Sequence, residues 1–288
     1  MQAFKQDFTS RQYMITPDFE YFHYLDKSSM EIEYHNHDFY EIYFFVSGEV
    51  TYIIEGNTYK LKPGDFLLIH SKELHKPVVE PGTEYQRIVL WVNPNFLQKQ
   101  SSDNTNLSMC FEPSPTKKHN LLRLGSEKLV NAKNILTKFE KSCNSTSFGS
   151  SVLRNIYLLE LIVYLNRAFL ETYDEVSETD IVFNEKINRI ITFINENLYT
   201  ELSLDILASN FFISKYHLLR EFKRYTGYTI HWFIRQKRLL LAKSLLKEGL
   251  PVTEVCTKCG FGDYSNFIRT FKSTFGVPPK KYVKNNQK

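Results

Sequence analysis

The 288-residue chain predicts an α+β fold of more than one domain. A β-barrel and a pair of helices come first, and an all-α domain with two helix-turn-helix units follows. Three observations carry this. Residues 31–92 are dense in short β-branched and aromatic runs divided by turn residues. Helical period takes over beyond residue 120. One helical pattern then occurs twice: Arg220, Phe222, Lys223 and Gly227 recur 49 positions later as Arg269, Phe271, Lys272 and Gly276. Four identities at one offset outweigh any single motif.

The N-terminal part opens with an aromatic, polar stretch over residues 1–30, read as an arm plus a first strand around Phe19 to Leu25. Ile42–Val46, Thr51–Ile54, Phe66–Ile69 and Arg87–Val92 read as strands, separated by Ser47-Gly48-Glu49, Glu55-Gly56-Asn57 and Lys62-Pro63-Gly64-Asp65. Many short strands at close spacing suit a sandwich or barrel. His35, His37 and Glu41 share parity, so their side chains can project to one face, together with Tyr43 and Phe45.

Residues 93–120 read as a loop, with Pro113 and Pro115 opposing a helix. Residues 126–141 and 150–171 read as helices. The second is apolar on most sides and needs two contacts, one with the barrel and one with a second subunit. Residues 172–184 are acidic, without apolar period, and read as a linker.

The C-terminal part opens with a helix over 185–199, where Ile187, Ile190, Ile191 and Ile194 share a face. Two short helices flank small residues in each copy of the repeat, the mark of a helix-turn-helix. In the first copy Leu218 and Phe222 face inward; Tyr216, Leu219, Arg220 and Lys223 face outward. In the second Phe267, Phe271 and Phe275 face inward; Tyr264, Ser265, Ile268, Arg269 and Lys272 face outward. The helix between the units, residues 231–248, would span about 27 Å at 1.5 Å per residue. That is near the ~34 Å turn of DNA that separates two major-groove entries.

Charge follows the same division. Residues 1–184 hold 18 Lys and Arg against 24 Asp and Glu, a balance of −6; residues 185–288 hold 18 against 8, a balance of +10. A basic domain on an acidic partner points to nucleic acid at one end only. Cys110, Cys143, Cys256 and Cys259 make no disulfide framework, and Cys256-Thr257-Lys258-Cys259 lacks the second pair a structural zinc requires. No apolar run approaches ~18 residues and the N-terminus lacks a signal-peptide core, so a cytoplasmic protein without membrane partner is expected.

These motifs resemble known families. Residues from about 185 to 288, through Ser214-Lys215-Tyr216-His217-Leu218 and Gly260-Phe261 … Phe271-Lys272 … Phe275-Gly276-Val277-Pro278-Pro279-Lys280-Lys281-Tyr282, resemble the DNA-binding domain of AraC/XylS-type transcription regulators. Phe212 departs from the Gly usual in the first turn, and Cys256 from the usual small Ala. The run His35-x-His37-x3-Glu41-x6-Gly48, with Pro63-Gly64 and His75 later, resembles the cupin barrel, the usual sensor domain of sugar-responsive members. The resemblance implies a cupin-like effector domain over 1–120, a helical dimerisation segment over 121–172, a linker over 173–184 and a double helix-turn-helix domain over 185–288.

The expected function is an effector-responsive, sequence-specific transcription regulator, an activator of carbohydrate-related genes by resemblance, working as a homodimer with double-stranded DNA, RNA polymerase and a small-molecule effector such as a sugar. Tyr216, Leu219, Arg220, Tyr264, Ser265, Ile268 and Arg269 are candidates to read bases, and Lys215, Lys223, Lys272 and Lys281 to hold phosphates. His35, His37, Glu41, Tyr43 and His75 are candidates for the effector. No resident cofactor is expected, but three His and one Glu also suit a divalent transition metal. The rival reading is a metal-dependent cupin enzyme fused to a DNA-binding domain.

Overall fold

In the computed structural model, which describes residues 11–27, 32–112, 119–171, 180–182 and 184–286, the chain divides into two compact units at Val182/Phe183. The first opens with β1 (Phe19–Asp26), β2 (Tyr40–Ser47), β3 (Val50–Ile54), β4 (Asn57–Lys60), β5 (Phe66–Ile69), β6 (His75–Val79) and β7 (Tyr85–Val92). Then come α1 (Pro94–Gln100), β8 (Leu121–Leu122), α2 (Ser126–Cys143), α3 (Ser150–Glu171) and β9 (Ile181–Val182).

The strands form two antiparallel sheets, in the orders β1-β7-β2-β5-β8 and β6-β3-β4-β9. Their union into one closed barrel is not seen among the described residues; only a His35–His75 bridge links the stretch before β2 to the smaller sheet. The larger sheet is covered on both faces, which is why β2 is buried continuously from Tyr40 to Phe45 rather than on alternate residues. Ile42, Phe44, Phe66, Leu68 and Leu90 pack against α1, α2 and α3 through Phe96, Leu136, Phe139, Leu158 and Leu161. The odd-numbered Tyr43 and Phe45 pack into the other cluster, with Tyr52, Ile54 and Tyr59 of the smaller sheet.

Three sequence expectations need correction here. Residues 93–120 are not all loop: Asn93 caps α1 through a side-chain bond from Asn95 N, with Pro94 at the first turn, where its missing N–H costs nothing. The helical segment expected from residue 121 begins at Ser126, because Leu121 and Leu122 pair with Leu67 and Phe66 as an edge strand. The end of the expected linker belongs to the first unit: Val182 and Ile181 pair with Thr58 and Tyr59. Asp180 is gripped by Lys62 Nζ at 2.7 Å and by Arg123, which also holds Asp65 in a two-pronged contact. Residues 172–179, the rest of that linker, and the prolines 113 and 115 lie outside the described residues.

The surface of α2 and α3 away from the sheet keeps apolar side chains in the open, among them Val130, Val152, Leu153 and Ile156. Among the described residues no helix is long and apolar enough to cross a membrane.

The second unit is helical: α4 (Glu185–Glu196), α5 (Leu204–Asn210), α6 (Lys215–Thr226), α7 (Ile230–Lys247), α8 (Val252–Lys258), α9 (Tyr264–Phe275) and α10 (Pro279–Asn286). Ile187, Ile190, Ile191 and Ile194 are buried, as their spacing requires. The α8–α9 half has its own core, in which Val255, Phe267 and Phe271 meet Leu239, Ala242 and Leu246 of α7. Cys256 and Cys259 are buried at this core, where burial pushes the Cys259 thiol up to about 12 and raises that of Cys256. Neither thiolate forms at neutral pH, so the pair is packing material rather than a redox couple.

Candidate functional site

The two repeat helices start and stop by the same device. Ser214 accepts a bond from His217 N at 3.2 Å to open α6, and Asp263 accepts one from Asn266 N to open α9. Gly227 and Gly276 end them in the left-handed conformation, at φ 79° and 75°, each donating to a carbonyl four residues back. Leu218, Phe222, Phe267 and Phe271 are buried, and Phe275 is half-buried.

The opposite face carries the charge. Tyr216, Arg220, Lys215 and Lys223 of α6 are exposed, as are Tyr264, Ser265, Arg269 and Lys272 of α9 and Lys281 of α10. Leu219 and Ile268 are only half-exposed, and Ile268 packs against the α8–α9 core, which limits what either can offer a partner. Arg220 rests on Glu221 at 3.1 Å and lies 5.8 Å from the Tyr216 ring; Lys215 pairs with Asp205 at 2.5 Å. Exposed ion pairs of this kind are worth about 0–1 kcal/mol, so an incoming phosphate or base can replace them. Arg224, also exposed and 3.6 Å from Glu221, extends the basic face beyond the residues read from the repeat. It has no counterpart in the second copy, where position 273 is Ser273.

The turns differ by one residue. Phe212 takes φ 51° after α5, and Gly260 takes φ 68° after α8; each amide bonds to the carbonyl three residues back. Phe212 thus occupies a left-handed position that favours glycine, with its ring 94% exposed.

In the first unit a cavity of about 300 Å³ is lined by His35, His37, Glu41, Tyr43, Tyr52, Tyr85, Arg87 and Trp91, among others, with Arg11 and Gln12 from the N-terminal stretch. His35 and His37 precede β2 rather than lying within it. His75 is fully buried and does not line the cavity, but its ring is 4.3 Å from that of His35 and 4.9 Å from that of His37. Phe45 is buried within the core and forms no part of the cavity wall.

Glu41 is the centre of the group. Its carboxylate accepts from Trp91 Nε1 at 3.1 Å and from Tyr52 Oη at 3.4 Å, and lies 3.3 Å from His37 Nε2. Burial pushes its carboxyl up, but His37 beside it, with His75 and His35 beyond, draws it down to about 2. Burial and mutual repulsion hold His35 and His75 below the usual imidazole range. At neutral pH Glu41 is a carboxylate, and His35 and His75 are neutral rings. The Tyr43 and Tyr85 hydroxyls bond to each other, and burial keeps both protonated. Tyr85, Arg87, Val89 and Trp91 were not among the expected site residues, although their strict alternation in β7 marks one face of the strand.

An AraC-like ligand binding domain model matches residues 20–161, and a helix-turn-helix domain model matches residues 207–285. The HTH-type transcriptional activator RhaS of Enterobacter sp. (strain 638) is 24% identical over 252 residues, 86% of each chain. The HTH-type transcriptional activator RhaR of Escherichia coli O139:H28 is 26% identical over 250 residues, again 86% of each chain. Among solved structures, wild-type ToxT of Vibrio cholerae with bound unsaturated fatty acid aligns over 93% of this chain and 95% of its own, at 15% identity and a TM-score of 0.39. With the ligand-binding and DNA-binding models in this order on one chain, and activators as full-length relatives, the protein belongs to the AraC family of transcription regulators.

Proposed function

We propose that the protein activates carbohydrate-related genes by gripping two successive major grooves through α6 and α9, under control of a sugar-like effector in the cavity of the first unit. The observation that carries this is the repetition itself: two helices, identically capped, each expose an Arg and a Tyr near the start and a Lys near the end. Arg220 and Arg269 are the base readers, able to grip guanine with two bonds each, with Tyr216, Tyr264 and Ser265 beside them. Leu219 and Ile268 contribute apolar edge contact only. Lys215, Lys223, Lys272 and Lys281 hold phosphates and supply the salt-dependent share of affinity.

Glu41, Tyr43 and the His35–His37–His75 group hold the effector, with Trp91 as an aromatic wall. The carboxylate and the neutral rings of His35 and His75 offer acceptors, and the phenols offer donors, to a hydroxyl-rich molecule. The effector shifts the balance between states only through its different affinity for each. The apolar surface left open on α2 and α3 supports a homodimer through residues 121–172. The activator names of the relatives support contact with RNA polymerase and a cytoplasmic location.

The test is an operator selected from random DNA by the full chain, then footprinted. Two protected major-groove patches about 10 base pairs apart on one face of the duplex are expected. A single patch sinks the two-groove reading. Glu41→Ala is expected to abolish the effector's influence on operator binding while leaving that binding intact; an unchanged dose-response removes Glu41 from the effector site.

A further inference from the structure

The turn that leads into α6 carries three consecutive apolar residues, and only two of them pack. Phe211 ends α5, is half-buried and meets the Phe193 ring edge-on, with centroids 5.7 Å apart. Ile213 is half-buried too, and its amide donates to Ala208 O at 3.0 Å. Phe212 stands between them with its ring in the open. Burial is the ordinary reason for a phenylalanine, and it does not apply here. The backbone does not favour the residue either. A φ of 51° lies in the left-handed region, which glycine enters freely and a side-chain-bearing residue enters only at a loss of stability. The equivalent turn of the second helix-turn-helix uses Gly260, and the residue after it, Phe261, packs against the α8–α9 core. Phe212 thus strains its turn and returns no packing. A lone exposed apolar side chain is common on protein surfaces, but one also held in a strained conformation points to a role outside the fold.

Place and charge identify what the ring meets. Phe212 lies two residues ahead of Ser214, the cap of α6, and the exposed Lys215 and Tyr216 follow on the first turn. From Ile206 to Arg220 the sequence holds no acidic residue, while Lys215 and Arg220 lie in the open. A polyanion suits this surface. We infer that, with α6 in the major groove as proposed above, the Phe212 ring packs against deoxyribose of the DNA strand that borders the groove.

A phenyl ring has neither donor nor acceptor for a phosphate or a base edge, and the sugar is the apolar part of the backbone. A recognition helix reads bases with its N-terminal residues, so a side chain just ahead of that end lies beside the backbone strand. Contacts to phosphate and sugar position a protein on the duplex without reading its sequence. An apolar contact releases no counterions, so it adds affinity without adding to the salt dependence. The first helix-turn-helix therefore carries a grip that the second, with Gly260 in its turn, lacks. The contact rests on the assignment of α6 to the groove.

The experiment measures the full chain and its variants on the selected operator and on random duplex DNA, by fluorescence anisotropy across a salt series. Phe212→Gly and Phe212→Asn both accept the left-handed conformation, and Asn keeps a side chain there. Each is expected to melt no lower than the parent and to bind both DNAs roughly 5- to 10-fold more weakly, the effect of half-burying a phenyl ring. The slope of log K against log salt is expected to stay unchanged. Phe212→Tyr, which restores the ring, is expected to keep the parent's affinity. Hydroxyl-radical footprinting, which reports the accessibility of deoxyribose, is expected to lose protection in Phe212→Asn at sugars flanking the first major-groove patch. A drop in melting temperature in both Phe212→Gly and Phe212→Asn, a loss confined to the operator, a lowered salt slope, or a loss in Phe212→Tyr as large as in Phe212→Asn overturns the sugar contact. Unchanged affinity in Phe212→Gly and Phe212→Asn, while Arg220→Ala weakens the operator, overturns it and leaves the ring to a protein partner. Unchanged affinity in Arg220→Ala as well brings down the assignment of α6 and this contact with it.

Discussion

Arg238 Nη1 donates to Gly260 O at 2.7 Å, so one side chain of the central helix α7 holds the turn of the second helix-turn-helix. The same guanidinium donates through Nε to Leu198 O at 3.0 Å and through Nη2 to Thr200 O at 2.7 Å, just beyond α4. Three carbonyls from two separate connections thus meet one cation. Arg238→Ala leaves them without that donor, and a hydrogen bond to a charged group is worth about 1.5–3 kcal/mol. The expected loss is about 2–4 kcal/mol of stability in the helical unit, read by urea denaturation. A loss under about 0.5 kcal/mol would mean that water replaces the guanidinium without penalty.

Gly260 is constrained from the same side. A Cβ there would lie 2.7 Å from Arg238 Nη2 and 2.8 Å from Leu198 O, at a φ of +68°. Phe212, at φ 51° in the corresponding turn, is exposed and free of that crowding. A left-handed conformation costs a side-chain-bearing residue roughly 1–2 kcal/mol. Phe212→Gly is therefore expected to stabilise the unit by about 1 kcal/mol, whereas Gly260→Ala destabilises it. Thermal unfolding of both variants checks the pair, and a destabilised Phe212→Gly would show that the exposed ring earns its place through contacts within the fold.

How much of this was legible beforehand depended on whether a residue's role is local. The glycines 227 and 276, recurring at the offset of the repeat, and the four isoleucines of α4 follow from spacing alone, because helix contacts recur within a few residues. The length of α7 was read correctly for the same reason. The strand β4, Asn57–Lys60, was missed because only Tyr59 of its four side chains is buried, so it has no apolar alternation. The cavity was half legible. Glu41 and Tyr43 share parity on one strand, but Trp91 meets Glu41 only through the β2–β7 register, which joins positions 50 apart. His75 enters through a bridge to His35 across a similar distance. Such pairings are set by the whole sheet, and no periodicity in one segment encodes them.

Asp180 supplies a pH signature. Lys62 beside it draws its carboxyl below the usual range, burial works the other way, and Arg123 adds to the lowering. Arg123 also engages Asp65, so two cations and a second carboxylate face the group. The folded value is depressed, so the stabilisation is fully present above the unfolded carboxylate value of ~3.9 and is lost as pH falls through the folded one. Asp180→Asn is expected to be less stable than the parent at pH 7, with the difference shrinking toward zero as the pH drops below ~4. A difference that stays constant across this range would assign the effect to β9 packing rather than to charge.

The two kinds of DNA contact separate by how they fail. Arg220, exposed near the start of α6, is assigned to a base edge, and Lys223, one turn on, to a phosphate. A two-bond arginine–guanine contact discriminates by about 1–3 kcal/mol. Arg220→Ala is therefore expected to weaken binding to the selected operator by roughly 5- to 150-fold, with much less effect on random DNA. Lys223→Ala should weaken both alike and lower the slope of log K against log salt by about one unit. Arg269→Ala and Lys272→Ala, at the same offsets in α9, should repeat this division at the second patch of the operator. Fluorescence anisotropy across a salt series on both DNAs measures all four variants. Equal losses on operator and random DNA for Arg220→Ala and Arg269→Ala would show that these arginines hold the backbone and that sequence is read elsewhere.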